Sequence, residues 1–158
     1  MRRNDRAVIE REEIIEIMRN CEICRLGLND DGYPYILPLN FGLDTDGESI
    51  KIYFHSALEG HKVELIKKDG RASFEMDCEH ELEYKAEKGY CTFNFASVMG
   101  KGTIRILDED EKMEALKKLM DQYHPGENAY FNPAALSRTL VYVLNVTHIT
   151  GKRKNSKR

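Results

Sequence analysis

Two acidic turns closed by glycine set the architecture of this chain. Asn29-Asp30-Asp31-Gly32 and Asp44-Thr45-Asp46-Gly47-Glu48 separate three apolar runs, at about 22–29, 35–43 and 50–55. Turns this short join antiparallel neighbours, because a parallel connection needs a crossover of a dozen or more residues. The first third therefore predicts an antiparallel meander.

Helical periodicity appears around it. Over residues 8–20, Ile14, Ile15 and Met18 recur on one face, with the aliphatic stem of Arg11 one turn earlier. Residues 59–68 predict a second helix with Leu58, Leu65 and Ile66 on its buried side, stopped by Asp69-Gly70. Residues 71–77 alternate as a strand, the polar stretch 78–88 reads as loop, and a long strand covers 89–106. Gly100 and Gly102 there mark a bulge or bend. Asp108-Glu109-Asp110-Glu111 opens a helix in capping-box style. Met113, Leu116, Met120 and Tyr123 make its apolar stripe, and His124-Pro125-Gly126 ends it. A short helix near 133–137 precedes a last strand over 139–150. That strand is apolar on both alternations: Leu140, Tyr142, Leu144 and Val146, then Val141, Val143 and Ile149. One face can fill a barrel; the other must be covered by a helix or a second subunit. The expectation is one mostly antiparallel α+β domain over 1–152, homodimeric, with a basic tail at 153–158.

Composition removes several classes. The chain has 158 residues, 41% apolar and 32% charged, the balance of a globular domain with a real core. No run approaches the roughly 20 apolar residues of a spanning helix, and Met1-Arg2-Arg3-Asn4-Asp5 opens no signal sequence, so cytoplasm is the default. A net charge of −3 gives no general attraction to nucleic acid. Cys21-Glu22-Ile23-Cys24 has no matching second pair, and Cys24 opens an apolar run, so these are expected to be thiols without metal, and without a secretion signal no disulfide is expected. Walker, Rossmann, nucleophile-elbow and zincin motifs do not occur.

The chemistry concentrates at residues 52–62, Ile-Tyr-Phe-His-Ser-Ala-Leu-Glu-Gly-His-Lys. A strand here runs into a helix start, where unpaired N–H groups and the helix dipole favour an anion. Ser56 offers a hydroxyl to a phosphate or caps the helix. Lys62 offers a positive charge or is an exposed helical lysine. His55 can move a proton. Upstream, Pro38 carries no N–H, so a break in the ladder near Asn40 would free backbone groups for a ligand.

Five segments together resemble a known family: Cys24-Arg25-Leu26-Gly27; Pro34-Tyr35 with Pro38-Leu39-Asn40-Phe41-Gly42; Tyr53-Phe54-His55-Ser56-Ala57 with Gly60-His61-Lys62; Ser97-Val98-Met99-Gly100-Lys101-Gly102; and Ile149-Thr150-Gly151-Lys152. In order and spacing they resemble the pyridoxamine 5'-phosphate oxidase-like FMN-binding split-barrel family, above all its nitroimidazole-resistance branch. Where that family carries Gly-Lys-Lys, this chain has Gly60-His61-Lys62. The resemblance implies a homodimeric Greek-key split β-barrel that holds FMN. It implies cofactor contacts from Arg25, Pro38, Leu39, Asn40, His55, Ser56, His61, Lys62, Ser97, Val98 and Lys152, with His55 catalytic. The implied chemistry is flavin-mediated turnover of a small molecule, by nitroaromatic reduction or a pyridoxamine-phosphate-oxidase-like reaction. The rival is a non-catalytic flavin (FMN or FAD) or haem carrier or sensor, with His55 and His61 as haem ligands.

Overall fold

The structure is a computed structural model and describes residues 3–155. In chain order come β1 (Ala7–Val8), α1 (Arg11–Asn20), β2 (Cys24–Asp30), β3 (Tyr33–Leu39), β4 (Gly42–Asp44), β5 (Lys51–Ala57), α2 (His61–Lys68), β6 (Arg71–Lys85), β7 (Tyr90–Ile106), α3 (Glu109–Tyr123), α4 (Pro133–Leu136) and β8 (Thr139–Lys154). The strands form one sheet in the order β3-β2-β6-β7-β8-β5-β4, with β1 added to β8. Every pairing is antiparallel. β3 and β4 are consecutive in the chain yet lie at opposite ends of that order. The sheet must curl on itself for residues 40 and 41 to join them, which is the expected split barrel.

Local chemistry explains the turns. Asp31 and Gly32 take φ of 53° and 89°, the two positive values a tight hairpin needs to match the strand twist. The predicted strand over 35–43 is in fact two: pairing with β2 ends at Leu39, and the chain resumes at Gly42 beside β5. The break falls just after Pro38.

The predicted loop at 78–88 is strand. β6 bulges between Cys78 and Glu81, then pairs with β7 out to Lys85↔Tyr90. One face of this arm turns Leu82, Tyr84 and Phe93 to solvent, and the other carries half-buried Glu83 and Thr92 and buried Asn94. Its sheltered face is polar and its few apolar residues stand among charged ones, so the sequence read as loop.

A second bulge corrects the reading of β8. Lys101 faces His148, but Gly102 faces Val146, leaving Thr147 as the extra residue. A one-residue insertion reverses which face each later side chain takes. Ile149 therefore joins Tyr142 and Leu144 in the interior cluster instead of following Val141 and Val143. Val141 and Val143 pack outside the barrel against Ala115, Leu116 and Leu119 of α3. The chain's own helix covers the second apolar face, so that face gives no argument for a partner subunit. Gly100 and Gly102 are needed at this crossing: a Cβ would meet the Phe74 ring at the first and the Asn145 carbonyl at the second.

The helices shift in smaller ways. In α1, Ile17 joins Ile14, Ile15 and Met18 in the core, while Arg11 donates to Thr45 O and Gly47 O at 3.0 and 2.8 Å. In α2, Val63 is buried and Leu58 lies exposed before the helix. α3 has its capping box, but its buried face is Lys112, Ala115, Leu116 and Leu119, with Met113 exposed. The supposed tail is ordered strand as far as Lys154, and Arg153 pairs with Glu13 and Glu79. Lys157 and Arg158 lie outside the described residues.

Candidate functional site

The barrel has a seam where β3 and β5 end. Among the described residues, β3 pairs only with β2. β4 reaches up β5 only to Tyr53, so Phe54–Ala57 are paired on the β8 side alone. Both edges present backbone N–H and C=O groups that the ladder does not use. Gly60 then turns the chain into α2 with φ of 132°, a value that side chains oppose. The first turn of α2 spans the seam. His61 reaches β2 and β3, and Lys62 stands beside His55 of β5.

The two α2 residues differ in what they do. His61 Nε2 lies 2.7 Å from Asp30 Oδ2, and its ring sits edge-on to Tyr35 at 5.1 Å. The Asp30 carboxylate raises the pKa of His61 by hydrogen bonding to its charged form. Lys62 is half-buried and has no ion-pair partner among the described residues. It lowers the pKa of His55, adding to a larger effect of burial. His55 is thus neutral near pH 7, with one ring nitrogen as donor and one as acceptor.

His55 and Ser56 point to opposite faces of β5. Ser56 does not cap α2, whose N-cap residue is Gly60. Its hydroxyl donates to Ala57 O at 2.9 Å and lies next to the buried Tyr142 hydroxyl, which finds no partner among the described residues. His55 faces outward into a cavity of about 590 Å³, and Asn40 joins it at the rim. Its other walls are Leu116, Leu119, Met120, Tyr123 and His124 from the end of α3, and Tyr130, Phe131, Asn132, Ala135, Leu136 and Thr139 around α4. His55 keeps solvent contact because it opens onto this space, although protein encloses much of it.

Tyr123 ties the cavity to the strand break. Its hydroxyl accepts from Phe41 N at 3.0 Å and donates to Glu22 O at 2.8 Å. The backbone released by the β3–β4 break is therefore satisfied in part from α3. Asn132 caps α4 by accepting from Ala134 N at 2.9 Å.

The other predicted residues lie elsewhere. Pro38 is exposed on the outer face of β3, and Leu39 turns partly inward. Arg25 is paired with Glu75 at 2.9 Å and with Asp77. Ser97 pairs across the ladders with Asp77 and Lys152, on the outer face of the sheet. Lys152 places its ammonium 5.4 Å from the Phe95 ring. Val98 is fully buried inside the barrel, so its side chain cannot line an outer site. The structure thus gathers Asn40, His55, Ser56, His61 and Lys62 at the seam. Arg25, Ser97 and Lys152 form a separate outer patch. The cavity wall from α3 and α4 was not anticipated. Its one sequence signal was an aromatic pair, Tyr130-Phe131, in an otherwise polar loop.

A model of the pyridoxamine 5'-phosphate oxidase family matches residues 10–153. No curated protein sequence matches the chain. Among solved structures, the chain is similar to a candidate 5-nitroimidazole antibiotic resistance protein from Bacteroides thetaiotaomicron, with 26% identity and a TM-score of 0.81, covering 93% of this chain and 86% of the other. It shares its fold with the flavocytochrome Anf3 from Azotobacter vinelandii, at 21% identity and TM-score 0.81 over 99% and 72% of the two chains. It also shares it with a FAD and heme binding protein from Mycobacterium smegmatis, at 18% identity and TM-score 0.82 over 96% and 74%. Among the described residues, no helix is long and apolar enough to cross a membrane.

Proposed function

Because the chain belongs to the pyridoxamine 5'-phosphate oxidase family, we propose that it is an FMN-dependent oxidoreductase acting on a small molecule, with nitroaromatic reduction its first candidate reaction. One observation carries this reading. An unneutralised, half-buried lysine stands beside a neutral histidine at a seam of unused strand edges, and that histidine opens into a largely apolar cavity. These groups fit the cofactor. Lys62 suits a phosphate, the seam edges suit the polar rim of a flat ring, and the aromatic walls suit the ring itself. FMN, when bound, supplies hydride or electron transfer. Lys62 binds, Asn40 and the seam backbone orient, α3 and α4 exclude water, and His55 Nδ1 or Nε2 holds or accepts a proton.

In this reading a second copy of the chain covers the outer face of the sheet from β3 to β8, where Ile36 and Met99 are exposed beside Arg25, Ser97 and Lys152. Sedimentation should give a dimer at micromolar concentration; a flavin-loaded monomer overturns that part.

A second reading, a flavin or haem carrier, is favoured by two histidines on one cavity, His55 and His124. Releasing the chromophore from purified protein separates the two. FMN bleached by NADH or NADPH without air supports the enzyme, and a Soret band supports the carrier. A colourless protein that takes up no added FMN at micromolar concentration ends the first reading.

A further inference from the structure

Two thiols far apart in sequence meet beneath α1. Cys21 Sγ donates to Ile17 O at 3.1 Å, and Cys78 Sγ donates to the same carbonyl at 3.7 Å. The two sulfurs lie close enough to act on each other's ionisation. Their surroundings differ. Cys21 is 2% exposed at the end of α1. Cys78 is half-buried and lines a cleft of about 310 Å³ with Asn20, Arg25, Asp77 and His80.

The backbone around the pair is irregular. Cys78 opens the β6 bulge, and Glu79 after it has a φ of 57°. Cys21 lies just past α1 in extended conformation. Neither cysteine occupies a helical position that a cross-link would have to break. The other two cysteines lack such a partner: Cys24 is sealed in the barrel, and Cys91 is exposed on the arm opposite Tyr84.

We propose that Cys21 and Cys78 are a peroxide-reactive dithiol that closes to a reversible disulfide, fastening α1 to the root of the β6–β7 arm. The steps balance with hydrogen peroxide as oxidant. Cys78 sulfur attacks one peroxide oxygen; an S–O bond forms, the O–O bond breaks, and water leaves, giving a sulfenic acid. Cys21 sulfur then attacks Cys78 sulfur; the S–S bond forms, and the hydroxyl departs as a second water. Two electrons pass from the thiols to the peroxide, and an added dithiol returns them. Burial raises the pKa of both thiols, Cys21 the further, so Cys78 is the readier to ionise; the cleft admits a small oxidant to it, and Cys21 resolves it from below.

The test treats the reduced, folded, full-length protein with hydrogen peroxide, quenches with alkylating agent, and maps peptides by mass spectrometry. The expected result is a Cys21–Cys78 linked peptide lighter by two hydrogens, reversed by dithiothreitol and lost in Cys78→Ser. Cys24 should remain alkylatable after denaturation. The same treatment in urea keeps the test decisive if Cys78→Ser fails to fold, because the link should form preferentially in the folded protein. The proposal is overturned if Cys78 proceeds to sulfinic acid while Cys21 stays free. It is equally overturned if the link forms no better in the folded protein than in urea.

Discussion

Lys62 stands beside His55 at the barrel seam, close enough that its ammonium opposes protonation of the imidazole. The histidine is thereby held as a neutral group that can give or take a proton near pH 7. The lysine charge, with no carboxylate partner among the described residues, is left to be met by an anion. One pair of residues thus links the binding and proton-handling halves of the proposed site.

Replacing Lys62 by alanine should weaken FMN far more than riboflavin. A charge-assisted lysine–phosphate hydrogen bond is worth about 1.5–3 kcal/mol, or roughly 10- to 150-fold in affinity. Fluorescence titration of the two flavins against wild type and Lys62→Ala measures it. Equal losses for both would remove Lys62 from the phosphate.

The two seam histidines should titrate in opposite directions from the ordinary value of 6.5. Burial and then Lys62 push His55 down, whereas Asp30 pushes His61 up. The unfolded chain binds the His55 proton more readily, so His55 costs stability as pH falls through 6.5 towards its folded pKa. His61 binds its proton more readily when folded. Its contribution is full below 6.5 and is lost as pH rises through its raised pKa. Proton NMR of the ring resonances should show His55 moving up towards 6.5 in Lys62→Met and His61 moving down in Asp30→Asn. An unmoved His55 would mean that Lys62 does not act on it.

Tyr123→Phe should destabilise the fold by about 1–3 kcal/mol, the cost of leaving a buried donor unpaired. Phe41 is fully buried, and its N–H has the Tyr123 hydroxyl as acceptor. The ring and its edge contact with Phe41 remain in the variant, so the loss isolates the hydroxyl. A urea denaturation midpoint equal to that of wild type would show that water or another group takes its place.

What could be read from sequence followed from how local each signal was. Gly32 after Asp31 marks a hairpin that the backbone must make, and Asp108 with Glu111 marks a helix start; both were legible because the physics is contained within four residues. Pro38 pointed to a ladder break near Asn40 for the same reason, although the run over 35–43 reads as one strand and is two. The inserted residue at Thr147 was not, because a bulge is defined by register against a strand some 45 positions away. The ion pairs of Arg25 with Glu75 and Asp77 were not legible either, because they come from pairing with β6 that no segment of the chain reveals alone. The cavity was invisible for a related reason. His55 and Asn40 come from the barrel, but Leu116, Tyr123 and Phe131 are brought to them only when α3 packs over Val141 and Val143.

His55→Ala should lower turnover while leaving flavin content nearly unchanged. His55 faces the cavity, whereas the charge suited to a phosphate belongs to Lys62 on the next element. A positioned proton donor or acceptor contributes about 10²–10⁴-fold in rate, acting in the transition state and not in cofactor binding. His61→Ala is the internal control, because that ring is engaged with Asp30 and Tyr35 away from the cavity walls. It should leave kcat within a few-fold of wild type. The assay follows consumption of a simple nitroaromatic by the chemically reduced, flavin-loaded protein, with flavin content measured by absorbance in the same sample. Loss of flavin in His55→Ala would make the residue a structural or binding element. Full flavin with full turnover would make it a bystander. A drop in kcat at constant flavin, together with loss of whichever limb of the pH–rate profile moves in Lys62→Met, would place the neutral imidazole in the reaction itself.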